Sequence, residues 1–495
     1  MKCKKKKDWF KNRGYVHFTN KIPFKHRNFV YKYVSNPEKI AKHSFSPLIF
    51  KEIKQRRYKE SDFNGKKRYS HKKIKENKIT SNSKIRQILY SSHIDAHIYS
   101  YYTQRIITPK YEAYLNKYIQ LTKAITAYRQ IKTDDRLKYK NNINFAKEVF
   151  SEIKRRENCV ALVLDIENFF PSLNHNKLKK AWAKVLGNKT LPKDHYNIFR
   201  ATTRFSYIKL NDLRIKKGHF DEKKLSENRK KGKNSFFENI KELIESDIII
   251  HKNQIKDKNK KLQGIPQGLP ISALLANIYM LSFDESIITN LTQKQNVFYR
   301  RYSDDIIILC EENQIKFVEN FIINEIQKID LIISKDKTEK ILFKKHNKRL
   351  QSFKINMDGT LHFNFPLNYL GFEFYGYQTL IKSKNLAQFY RSMKQSVRRK
   401  NKRVEKVKEK FLEDQAPLFK RKIYRLYSFK GVKTRKLPVK GNNYTRKFRG
   451  NYLRYAYKAS EELEAPEIKR QLRNHWTILQ KTLSTYEFSN VKKNN

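Results

Sequence analysis

Val297–Cys310 reads VFYRRYSDDIIILC, in which two β-branched, apolar runs flank two adjacent carboxylates, Asp304 and Asp305. The composition predicts strand, tight turn, strand, with both acids at the tip. Adjacent carboxylates repel each other, so the arrangement is costly unless a cation compensates. Taken alone the pair also suits a solvated hairpin, because Asp is common in turns. A second anomaly lies upstream. Cys159–Ile166, CVALVLDI, is a continuous apolar run of the kind buried on both faces of a sheet, yet Asp165 ends it. Between the two, the Gly-Pro loop GIPQGLPIS (Gly264–Ser272) leads into a helix predicted over Ile271–Phe283. Three carboxylates in apolar frames point to a divalent-metal site built from oxygen donors.

Acids are scarce here, which sharpens that reading. The 495 residues carry 109 Lys plus Arg against 47 Asp plus Glu, a formal net charge of +62. An enzyme of small metabolites seldom carries such a charge, because self-repulsion opposes compaction unless a polyanion neutralises it. Nucleic acid is therefore the leading partner. With 39% hydrophobic and 13% aromatic residues the chain can still build sizeable cores, which excludes wholesale disorder. Cys3, Cys159 and Cys310 make neither a disulfide framework nor a CxxC zinc pair. The N-terminal MKCKKKKDWF lacks the apolar stretch of a signal peptide, and Ser272–Phe283 is too short to span a bilayer. The expectation is a cytoplasmic protein without a membrane partner.

Periodicity divides the chain further. IRQILYSSHIDAHIYSYYTQRI (from Ile85) and INFAKEVFSEIKRR place apolar residues three and four apart and predict helices, as does LKKAWAKVL (Leu178–Leu186). His93 and His97 share a helix face, but no HExxH pattern accompanies them, so they are expected to be a core or surface pair rather than zinc ligands. A third strand pair is expected around Leu361–Gly376, and a strongly basic helix over Asn385–Phe411. FKRKIYRLYSFKGVKTRKL, from Phe419, interleaves basic and aromatic residues, which suits stacking on unpaired bases or an ordinary Tyr-rich core.

With these residues in view, the chain resembles the reverse transcriptases. Tyr302-Ser303-Asp304-Asp305 resembles the family's Tyr-x-Asp-Asp box, LDIENFFPS (Leu164–Ser172) its first catalytic motif, and GIPQGLPIS its Pro-Gln-Gly motif. SKDKTE (Ser334–Glu339) and NYLGFEF (Asn368–Phe374) resemble the motif that follows and the primer grip. The resemblance implies an α+β right-hand polymerase fold, with fingers, a palm of antiparallel sheet plus helices, and a mostly helical thumb and C-terminal region. The implied divisions are a basic N-terminal accessory region (1–82), fingers (83–160), and palm (161–376) with a Lys-rich insertion at 211–262. A thumb-like basic helix (377–415) and a C-terminal nucleic-acid-binding region (416–495) complete the chain.

The resemblance also implies roles. Asp165, Asp304, Asp305 and the Ile166 carbonyl would hold two Mg²⁺ ions, with Mn²⁺ able to substitute. Phe170 would be the steric gate against a ribose 2′-hydroxyl, Gln267 and Gly268 would contact nucleotide and template, and Lys337 would lie near the triphosphate. Arg86, Arg129 and Lys132 are candidate phosphate contacts from the fingers. Arg398, Arg399, Lys400, Lys402 and Arg403 would track a duplex backbone. Partners would be an RNA template, dNTPs and the DNA product, with a homo-oligomer allowed. The layout is similar to bacterial retron and defence-associated enzymes, which implies a dedicated noncoding RNA in antiphage immunity. The rival readings are a template-independent or protein-primed nucleotidyltransferase and an RNA-binding scaffold with a structural palm.

Overall fold

The computed structural model describes residues 8–63, 66–75, 78–216, 227, 230–232, 235–237, 240–334, 337–356, 358–411, 418–433, 435–438, 445–448 and 450–488. Cys3, Lys335, Asp336 and, within the Lys-rich stretch 211–262, residues 217–226, 228–229, 233–234 and 238–239 lie outside these residues. The chain forms two interleaved units. One comprises Met1–Tyr128, Leu164–Ile306 and Glu319–Lys337; the other comprises Arg129–Val163, Ile307–Val318 and Thr338–Asn495.

In the first unit, β1 (Leu48–Arg56) leads through the hairpins β2 (Lys59–Phe63)–β3 (Lys66–Ser70) and β4 (Lys72–Lys75)–β5 (Lys78–Ser81) into β6 (Ser83–Tyr90). β6 corrects the helix expected from Ile85. Ile85, Ile88 and Leu89 mimic helical spacing, but this segment pairs antiparallel with β1 from Ile49↔Tyr90 to Arg56↔Ser83. Ladder pairing with a neighbouring strand outweighs local propensity here. The helix starts later, at His93, where the Ser92 side chain accepts from the Asp95 amide as its N-cap.

Downstream come β7 (Cys159–Asp165), β8 (Ser206–Lys209), β9 (His251–Lys252), β10 (Phe298–Tyr302) and β11 (Asp305–Cys310). They are followed by β12 (Glu339–His346), β13 (Arg349–Ile355), β14 (Leu361–Phe363), β15 (Leu367–Tyr369), β16 (Phe372–Phe374) and β17 (Thr379–Ile381). One sheet has the order β6-β1-β8-β9, a second β10-β11-β7-β12-β13-β14, and a third β15-β16-β17. The mixture of helices with predominantly antiparallel strands is an α+β fold. The apolar stretch over Ile271–Phe283 forms two helices, Ser272–Tyr279 and Leu281–Ile287. In the second unit, helix Ser383–Phe411 buries Met393 and Val397 against Ile423, Leu479 and Leu483. Tyr424 and Tyr427 pack on the same cluster, so these rings of the basic-aromatic segment serve a core. No helix among the described residues is long and apolar enough to cross a membrane.

His93 and His97 are core residues. His93 stacks on Tyr15 at 4.9 Å and His97 on Phe10 at 4.3 Å. Burial, reinforced by Arg13, pushes His93 down to about 4 and His97 to about 3; burial likewise takes His17 to about 3. The unfolded chain therefore takes up protons first as pH falls. Stability is complete above pH 6.5 and drains below it, by up to about 1.4 kcal/mol per pH unit for each histidine. Thermal melts should show the midpoint falling steadily from pH 6.5 to 4. A flat profile over that window would show that these rings are solvated.

Candidate active site

The acidic turn is built as the sequence suggests. β10 and β11 are hairpin neighbours, and Ser303 takes φ +63° at the turn between them. Cys310, at the far end of β11, lies against the Val160 carbonyl near the start of β7. The two strands therefore run antiparallel, which brings Asp305 and Asp165 to the same end of the sheet. Asp304 and Asp165 are half-buried, and Asp305 is exposed.

Lys337 reaches Asp165 for a reason visible in the register. β12 pairs with β7 as Glu339↔Val163, so two residues back along the same ladder Lys337 comes opposite Asp165. Its ammonium donates to the Asp165 carboxylate, and the Ser334 amide donates to the Asp165 carbonyl at 2.8 Å. Lys84 of β6 lies in the same electrostatic neighbourhood. Burial lowers its pKa, aided by Arg57, Arg86 and Lys337, while Asp165 opposes the shift. Sequence reading named Arg86 here but missed Lys84. Arg129 and Lys132 belong to the second unit, where Lys132 bridges to Tyr139 in an antiparallel turn.

Two backbone hydrogen bonds tie the Asp165 loop to the Gly-Pro loop: Ile265 donates to the Phe170 carbonyl at 2.9 Å and Gly264 to Leu173 at 2.8 Å. Phe169 is buried, whereas Phe170 is half-exposed at the head of a short 3₁₀ turn. The Ile166 backbone bridges antiparallel to Ile333. Gln267 is exposed, and its carbonyl accepts from the Leu89 amide of β6 at 2.9 Å. Gly268 has φ +126°, and a Cβ there would come within 2.5 Å of the Leu89 carbonyl oxygen. Only glycine permits both the conformation and the approach. Gly268→Ala should cost about 2–3 kcal/mol through strain and collision. It should also speed amide exchange at Leu89; unchanged exchange would mean that the two segments are not joined as described.

Beneath the turn lies a network that sequence reading missed. Arg301 is fully buried and donates to both Asp284 carboxylate oxygens, at 2.7 and 2.6 Å. It also donates to the Ser303 carbonyl at 3.0 Å and to Asn277 Oδ1 at 3.1 Å. Tyr299 completes the carboxylate's partners, and Thr126 donates to the Arg301 carbonyl at 2.9 Å. Burial opposes charge on Arg301, but Asp284 more than offsets it, so the pKa is raised and the guanidinium stays charged. The available signal was Asp284 itself, an acid at the end of a long apolar stretch, as Asp165 is.

The donor set around the turn is hard oxygen, which fits Mg²⁺ or Mn²⁺. Among the described residues no three Asp, Glu, His or Cys side chains are gathered closely enough to enclose an ion, and Lys337 neutralises Asp165 instead. In the second unit, helix Ser383–Phe411 exposes Arg398, Arg399, Lys402 and Arg403, with Lys400 half-buried.

Residues 101–374, which hold Asp165, the Gly-Pro loop, the acidic turn and Lys337, match the model of the family described as reverse transcriptase (RNA-dependent DNA polymerase). The chain belongs to the reverse transcriptase family. No curated protein sequence matches it. Among solved structures, this chain is similar to apo telomerase from Candida tropicalis truncated from the C-terminal domain, at TM-score 0.38 and 10% identity over 72% of this chain and 60% of that one. It is also similar to telomerase from Candida albicans in complex with a TWJ fragment of telomeric RNA, at TM-score 0.36 and 13% identity over 76% of this chain and 56% of that one. A third is apo telomerase from Candida tropicalis, at TM-score 0.37 and 10% identity over 93% of this chain and 65% of that one. The chain thus spans about three fifths of the length of the first of these structures.

Proposed function

We propose that the protein is an RNA-directed DNA polymerase that extends a primer 3′-hydroxyl with dNTPs on an RNA template. The observation that carries this reading is the meeting of Asp165 with the Asp304–Asp305 turn at one end of adjacent strands β7 and β11, within a reverse transcriptase domain. Asp165, Asp304, Asp305 and the Ile166 carbonyl would hold Mg²⁺, which when bound supplies charge neutralisation and an activated 3′-oxygen. The protein's own groups do the rest. Lys337, Lys84 and Arg86 balance the triphosphate charge, and Gln267 and Gly268 support the nucleotide from the loop docked on β6. Positioning and electrostatics suffice for such a transfer without a covalent protein nucleophile. Phe170 excludes a 2′-hydroxyl, and the exposed cations of Ser383–Phe411 follow the duplex.

The charge of +62 supports a persistent RNA partner, and the finer part of the proposal is a dedicated noncoding RNA read in bacterial antiphage defence, in the cytoplasm. The test supplies purified protein with its native genomic neighbourhood, Mg²⁺ and labelled dNTPs, followed by sequencing of DNA and co-purified RNA. DNA complementary to one bound RNA is expected. DNA matching no RNA, or attached to protein, would replace the proposal with untemplated or protein-primed synthesis. Phe170→Ala should raise the relative use of rNTPs by about 10–100-fold, since one removed contact shifts discrimination by roughly 1–3 kcal/mol. Unchanged discrimination would make Phe170 an ordinary core ring.

A further inference from the structure

A cleft of about 430 Å³ opens in the first unit, at a place that none of Asp165, Asp304 and Asp305 lines. Its wall comes from three separate stretches: the start of helix His175–Leu186, the outer face of helix Lys193–Thr203, and Lys261–Leu262. Lys179, Arg200, Arg204 and Lys261 converge on it, and no Asp or Glu is among its described lining residues. On the same helix as Lys179, by contrast, Lys177 pairs with Asp330 and Lys184 with Glu285. Among the described residues none of the four cleft cations makes an ion pair. The Lys179 ammonium lies instead 5.1 Å from the ring centroid of Tyr196, which is 43% exposed and packs nearly parallel to Phe199.

Surface lysines in so basic a chain are ordinarily solvated and spread apart. Four cations drawn into one concavity repel one another, and an anion that enters relieves that repulsion. The volume lies within the range of about 300–1,000 Å³ typical of ligand sites. The guanidiniums of Arg200 on helix Lys193–Thr203 and Arg204 at its C-cap suit bidentate contact with phosphate. An exposed ring beside them adds a wall for a base, and that combination distinguishes unpaired nucleic acid from a duplex, which offers a protein chiefly its backbone. We infer that this cleft binds a nucleotide unit of single-stranded RNA, its phosphates on Arg200, Arg204, Lys179 and Lys261 and its base against Tyr196. The cleft is joined to the Gly-Pro loop: Lys261 and Leu262 run directly into Gln263–Gly268, and the His175 ring bonds the Gly264 carbonyl at 2.8 Å. The inference does not require polymerase chemistry, so the two can fail separately.

The test irradiates the full chain with a short unstructured RNA carrying 4-thiouridine and maps the crosslinked peptides by mass spectrometry. A crosslink within residues 174–204 is expected. The paired substitution Arg200→Ser and Arg204→Ser, at exposed positions, should lower its yield at least about ten-fold while crosslinks elsewhere persist. Tyr196→Ala should do the same without altering charge. No crosslink in that segment, or one insensitive to both variants, overturns the inference. So does uridine monophosphate displacing the RNA as well as unlabelled RNA does at equal phosphate, since the ligand would then be a free nucleotide.

Discussion

Asp304→Asn should lower nucleotide incorporation by at least about 10³-fold, equivalent to ~4 kcal/mol of lost transition-state stabilisation. Asparagine keeps the size of the side chain and its capacity to accept a hydrogen bond, but removes the charge. Nothing in the packing opposes the change, because Asp304 is half-buried at a turn whose backbone is held from below through Ser303. The substituted protein should therefore melt near the parent temperature and retain RNA. Single-turnover primer extension would measure the loss directly. Activity above a tenth of the parent's would remove the acidic turn from the chemistry and revive the reading of a structural palm that only binds RNA.

Arg301→Met is the more damaging change for the fold. It leaves Asp284 buried with its charge uncompensated, at a cost of about 3–5 kcal/mol. Replacing both partners, Arg301→Met with Asp284→Leu, should recover much of that loss, since well-packed apolar groups often substitute for a buried ion pair with little penalty. Incorporation should remain low in the double variant, because the Ser303 carbonyl has lost the donor that fixes the turn. Melting curves and incorporation rates together make the comparison. If the single variant melts with the parent, the pair contributes nothing to stability. If the double variant recovers full activity, bracing by Arg301 is unnecessary.

The acidic turn was legible because its meaning is local: two carboxylates between apolar runs are anomalous wherever they occur, and β10 and β11 are adjacent in sequence. Asp165 was legible for the same reason. The brace beneath them was not. Arg301 follows Arg300 in a chain crowded with cations, so a single arginine carries no signal, and its partner lies 17 residues upstream on a helix. Register had the same effect on Lys337, whose contact with Asp165 follows from the β7–β12 ladder and not from either segment alone. β6 was misread because three apolar residues matched helical spacing, while the β1 ladder that decides its conformation pairs it with residues 27 to 41 positions away. The cleft cations were invisible singly, since concavity is a property of three segments brought together.

The chain passes between the two units five times, after Tyr128, Val163, Ile306, Val318 and Lys337. On a ribosome, the opening 128 residues must wait for Leu164–Ile306 and Glu319–Lys337 before their unit is whole. At synthesis rates of roughly 5–20 residues per second that wait lasts on the order of 10–40 s. During this time apolar faces destined for burial remain uncovered. A nascent chain of this design has a reason to engage a chaperone before its first unit is whole.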